Sequence, residues 1–180
     1  MDNEIKTDKG SVEERYEFIN IAERLFAQTA YYWPNRPEWL GEFANTLNIE
    51  GIFCTEMSYF RLYYVYDHDP DPELGSFFPP AETAARVALF KQVIDAVLIK
   101  LTPMTRQEFV DQLLAVDQTE DGLDTDPPRF SPTSPSSTLE EMREGIERSF
   151  GYLRELPEEK WQEIWKPRLI NLLQQLKTLV

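Results

Sequence analysis

The most chemical-looking residues stand in YDHDPDPELG, from Tyr66 to Gly75. The stretch holds the single histidine, His68, together with Asp67, Asp69, Asp71 and Glu73. Carboxylates beside an imidazole are the material of a metal site or of general acid–base catalysis. Ligand counting speaks against a transition metal. Zinc or iron sites want two or three imidazoles or thiolates, and this chain has one His and one Cys. The Glu-x-x-His pairs of di-iron bundles are missing, because Val65 stands where the Glu would be. Pro70 and Pro72 stiffen an extended backbone, on which Asp69 and Asp71 point one way and His68 another. The stretch therefore reads as a charged turn that stops the segment before it. No metal or cofactor is expected.

Other constellations fail for physical reasons. Asp117, Thr119, Asp121 and Gly122 fit positions of a calcium-binding helix–loop–helix, but its final bidentate Glu is replaced by Pro128. Cys54 and His68 could form a nucleophile and base, yet Cys54 lies in an apolar run where a thiol is inert packing. No nucleophile elbow and no phosphate-binding glycine loop exists among the seven scattered glycines. Glu13/Glu14, Glu140/Glu141 and Glu158/Glu159 fall in first helical turns, where the helix dipole accounts for them. Glu56, amid Ile52, Phe53, Tyr59 and Phe60, reads as half of a structural ion pair before it reads as a catalytic acid. These absences lean away from an enzyme.

The aromatic residues are the distinctive feature. YYWPNRPEW and YFRLYYVY place six of the eight tyrosines and two of the four tryptophans between residues 31 and 66. Arg36 and Arg61 are interleaved with them. Tyr, Trp and Arg are the side chains enriched at binding hot spots. One reading is a large core with amphipathic rims. The other is a partner-binding face made of Tyr31, Tyr32, Trp33, Arg36, Trp39, Tyr59, Arg61, Tyr63, Tyr64 and Tyr66, with His68 on its rim. There the imidazole would make binding pH-sensitive near about 6–7.

Composition bounds the rest. The net charge is −14, from 32 acidic and 18 basic side chains. Such a field repels phosphates, so direct nucleic-acid binding is not expected, whereas a basic protein partner would be attracted. One cysteine excludes an internal disulfide and suggests a reducing compartment, the cytoplasm. The opening MDNEIKTDKGS has no apolar core of a secretory signal. No apolar run approaches the ~18 residues of a membrane span. The 180 residues suffice for a single domain with its own core.

Periodicity predicts an all-α fold: an irregular bundle of six or seven helices. Residues 1–10 read as a disordered tail and 11–116 as the helical body. Residues 117–137, with five acids and four prolines, form a flexible acidic Pro/Ser-rich linker. Residues 138–180 form a C-terminal helical pair, too small to hold a core alone, that packs on the body or on another chain. Ser11 with Glu14 and Thr105 with Glu108 are capping boxes. Residues 52–66 fit helical spacing through Phe53, Met57, Phe60 and Tyr64 better than strand alternation. Residues 82–101 are apolar nearly all round, which predicts a central helix. Trp161, Trp165, Leu169, Leu172, Leu176 and Leu179 keep one stripe across Pro167, where a kink or break is expected.

Three functions are compatible with this pattern. The leading one is a non-catalytic intracellular binding protein, an adaptor, assembly or regulatory factor, using the aromatic face. A second is an acidic mimic of nucleic acid that blocks a DNA- or RNA-binding protein. A third is a small-ligand-binding bundle or enzyme built around Glu56 and the tyrosines.

Overall fold

Alternating threes and fours in the apolar spacing of the first helix set the centre of this molecule. The computed structural model describes residues 12–41, 43–44, 80–115 and 139–179. The described residues are helical or turn, without strands. They comprise α1 (Val12–Tyr31), a short helical turn over 38–41, α2 (Pro80–Leu101), α3 (Arg106–Leu114), α4 (Leu139–Phe150) and α5 (Lys166–Leu179). The tail at 1–10, the segment 52–66, the linker at 117–137 and the box at Ser11 lie outside the described residues.

The most enclosed helix is α1, not α2. Every residue from Ile21 to Gln28 is buried, polar ones included. Helix α2 packs on both α1 and α5 through Phe90, Val93, Ile94, Val97 and Leu101. Its outer face carries Ala84, Ala85, Ala88 and Ile99, and Ile99 is 73% exposed. The apolar composition of α2 pointed to a central position, and small alanines on an open face explain the difference.

Two of the polar side chains inside α1, Arg24 and Gln28, have backbone partners. Arg24 Nε donates to the Leu113 carbonyl, and Nη2 donates to the Ala115 carbonyl at 2.7 Å. These are carbonyls at the end of α3, which lack intrahelical donors and carry the negative end of the helix dipole. Gln28 Nε2 donates to the Gln112 carbonyl at 3.1 Å, and Gln112 Nε2 returns a bond to Gln28 Oε1 at 3.0 Å. Burial lowers the Arg24 guanidinium pKa to about 9, so it stays charged at neutral pH. One arginine thereby fastens α3 to α1.

The expected break near Pro167 takes a specific form. Pro157 caps the turn Glu158–Lys160, a π-turn covers Trp161–Trp165, and α5 starts at Lys166. Proline 167 has no N–H to give and its ring crowds the carbonyl four residues back. Widening the preceding turn, with the Lys166 N–H bonded to the Trp161 carbonyl, absorbs that conflict. The turn also aims two side chains at one place. Trp161 is fully buried, stacks on Phe109 at 4.1 Å and donates to the Met104 carbonyl at 2.9 Å. Lys166 Nζ donates to the Thr102 and Met104 carbonyls at 3.0 and 3.3 Å. The carbonyls just past α2 are satisfied in this way.

The leucine stripe of α5 faces inward. Leu169, Leu172, Leu173 and Leu176 are buried in the same cluster as α1 and α2. Each contributes roughly 1.5–3 kcal/mol by leaving water. Asp95 of α2 receives Lys177 of α5 on both oxygens, at 2.6 and 2.8 Å. The capping box at Thr105 is formed, with both reciprocal bonds to Glu108.

Three surface carboxylates tie acid stability to these contacts. Hydrogen bonds from Thr105 hold Glu108 below the usual 4.5, Arg154 does the same for Glu147, and Gln162 for Glu158. A depressed carboxylate stabilises the fold above its unfolded pKa and loses that contribution as pH falls through its folded pKa. Unfolding midpoints in urea should therefore decline below pH 4.5. Glu147→Gln should shrink the decline, and an acid limb unchanged by it would contradict the assignment.

Candidate functional site

Five of the proposed partner-binding residues meet at one corner, where α1 turns into the helical segment that starts at residue 38. Pro34 stops α1 by removing a donor. The Trp33 N–H bonds to the Ala30 carbonyl at 3.2 Å, and the Arg36 N–H to the Trp33 carbonyl at 3.1 Å. Asn35 takes a left-handed φ of 51°, which Asn tolerates better than most residues. Pro37 then starts the next turn, its carbonyl accepting from Leu40 and Gly41. This tight reversal brings the Arg36 side chain back over the end of α1.

Arg36 sits over the Tyr31 ring, with Cζ 4.0 Å from the ring centroid, and Nη1 donates to the Tyr31 carbonyl at 3.1 Å. The guanidinium also meets Gly41. A Cβ there would come within 2.7 Å of Arg36 Cζ, so the absence of a side chain makes the niche. Glycine inside a helix is about 1 kcal/mol worse than alanine. The Tyr32 ring stands edge-on to Tyr31 at 5.1 Å and is 57% exposed. Tyr31, Trp33 and Trp39 are partly buried and rest against the core.

A second arginine completes the corner from α2. Arg86 Cζ is 4.9 Å from the Trp39 ring, and its Nη2 pairs with Glu82 at 3.0 Å. Nothing in the local sequence announces this contact, since it joins α2 to a residue far back in the chain. Beneath the corner, Phe26, Phe43 and Phe90 pack ring to ring at 5.0–5.8 Å. Three helical segments are thus locked under the exposed rings. The remaining proposed residues, Tyr59, Arg61, Tyr63, Tyr64, Tyr66 and His68, lie outside the described residues, as do Cys54 and Glu56.

The sequence left open whether the aromatics are core or surface, and here they divide. Tyr32 is surface, Tyr31, Trp33 and Trp39 are both anchor and wall, and Arg36 and Arg86 cover the rings. Elsewhere, a cavity of about 10 Å³ lies between α1, α2 and α3, lined by Leu25, Val97, Leu101 and Met104 among others. It has room for about one water, far from the ~300 Å³ of a ligand pocket. Among the described residues, no three His, Cys, Asp or Glu side chains are grouped to hold a metal, and no helix is long and apolar enough to cross a membrane. No protein-family model matches the chain, and no curated protein and no solved structure matches it either.

Proposed function

We propose that this chain is a non-catalytic binding protein, an adaptor, assembly or regulatory factor, that takes a protein partner on the aromatic–arginine corner. The observation that carries the reading is Tyr32, a large ring 57% exposed and held edge-on by Tyr31 over a packed phenylalanine base. A rigid exposed tyrosine beside arginine is the composition of an interface hot spot. Few rotamers remain to be frozen on binding, so little of the contact energy is lost to ordering. The acidic charge supports a partner of basic character by long-range steering. The single cysteine supports a reducing, cytoplasmic setting.

The test is substitution at the exposed ring. With the partner recovered from the native host, Tyr32→Ala should weaken binding by about 2 kcal/mol, roughly thirtyfold, as a hot spot does. Its melting temperature should stay that of the parent chain, since Tyr32 is largely outside the core. Unchanged affinity would remove the corner from the interface.

A further inference from the structure

We infer that the corner recognises a carboxylate of its partner, received edge-on by Arg36, beside an apolar side chain that packs on Tyr32. The inference rests on the binding role proposed above and specifies the chemistry that role uses.

Arg36 is arranged as a receptor group. Its guanidinium is held over the Tyr31 ring and against Gly41, and is fixed by the bond to the Tyr31 carbonyl. Stacking occupies the faces of the cation and leaves its edges. A guanidinium carries five N–H donors in one plane, and the Tyr31 carbonyl takes one from Nη1. The side chain is half-buried. Part of its surface therefore stays in contact with solvent. A planar fork of this kind matches a carboxylate with two parallel bonds.

Gly41 strengthens the point. A helical glycine is locally unfavourable, and here the space it leaves is filled by the Arg36 guanidinium. Arg86, by contrast, already pairs with Glu82. The net charge of −14 disfavours a strongly acidic ligand at long range. The fitting partner is therefore a neutral or basic segment that presents one Asp, Glu or terminal carboxylate next to an apolar residue.

The experiment is selection of a random displayed-peptide library on the full chain, repeated on Arg36→Gln, Gly41→Ala and Tyr32→Ala. The expected selection on the parent is for one acidic residue adjoining an apolar one, with at least tenfold weaker binding by Arg36→Gln and by its own Asp-to-Asn and Glu-to-Gln counterparts. Gly41→Ala keeps the charge of Arg36 and improves local helix propensity but fills its niche, so it should lose the acidic preference while remaining folded. Selected peptides that bind through Tyr32 without any acidic requirement, or equally well to Arg36→Gln, overturn the carboxylate and leave the corner as a binding surface. Peptides whose binding ignores both Tyr32 and Arg36 overturn both.

Discussion

Replacing Arg24 by methionine should destabilise the protein by about 2–4 kcal/mol, although methionine fills similar space and is the more apolar residue. Two opposing effects decide the size. Burying a guanidinium is unfavourable, as its lowered pKa records, and removing it relieves that cost. Against this, the Leu113 and Ala115 carbonyls lose charged donors. Hydrogen bonds from charged groups contribute about 1.5–3 kcal/mol each, and a buried acceptor left bare costs about 1–3 kcal/mol. Ala115 is exposed and water can take the place of its donor. Leu113 is buried, and its carbonyl carries the larger part of the loss. Lysine should do no better than methionine. It keeps the charge, but one compact ammonium cannot span two carbonyls and is harder to dehydrate. Urea unfolding measures both, and amide exchange in Arg106–Leu114 should rise selectively. A methionine variant within about 0.5 kcal/mol of the parent would remove Arg24 as the fastening of α3, being the range of ordinary surface changes.

The second large effect is at Trp161. Alanine there should cost about 3–5 kcal/mol, the range for deleting a buried aromatic. The ring is fully buried, so its volume becomes a cavity beside Phe109, its stacking partner. Phenylalanine should cost much less, about 1–2 kcal/mol. It keeps most of the stacked area and loses one hydrogen bond. The Met104 carbonyl would not be left bare, because Lys166 and Gln162 also donate to it. In a domain of this size each kcal/mol moves the melting temperature by about 2–4 °C. A phenylalanine variant as damaged as the alanine variant would mean that the indole N–H, not the stacked ring, holds the C-terminal segment down.

These two residues also mark where the sequence was legible. Trp161 sits on a stripe that runs to Leu176, and inward packing of that stripe follows from its period. Thr105 with Glu108 reads as a helix start and is one. The all-α class is carried by such patterns. Arg24 is different. It lies within the apolar face of α1, and the groups through which it holds α3 are main-chain carbonyls, which have no residue identity to recognise. Periodicity therefore could not show that α1, with Glu23, Arg24 and Gln28 inside it, would be more enclosed than the more apolar α2. Pro167 announced a break, but a π-turn upstream of it depends on how Trp161 and Lys166 both reach Met104.

The candidate site was legible in composition and not in geometry. Tyr31, Tyr32, Trp33, Arg36 and Trp39 stand out by type and closeness. Which ring faces out depends on a reversal made by Pro34, the left-handed Asn35 and Pro37. Gly41 carried a faint signal, as a glycine inside an amphipathic helix with no turn to make. Arg86 carried none, because a cation on Trp39 from α2 appears only when the helices pack.

Docking of a protein partner at the Tyr32 corner can be seen directly by crosslinking. Its most direct test places a photo-crosslinking phenylalanine analogue at position 32 of the full chain, in the native host, with the same analogue at the exposed Ile99 as control. One defined crosslinked protein is expected from position 32 and none from position 99. Excess unlabelled parent chain should suppress it, and excess Tyr32→Ala chain should not. No discrete product at position 32, or a product that both competitors suppress equally, would contradict it.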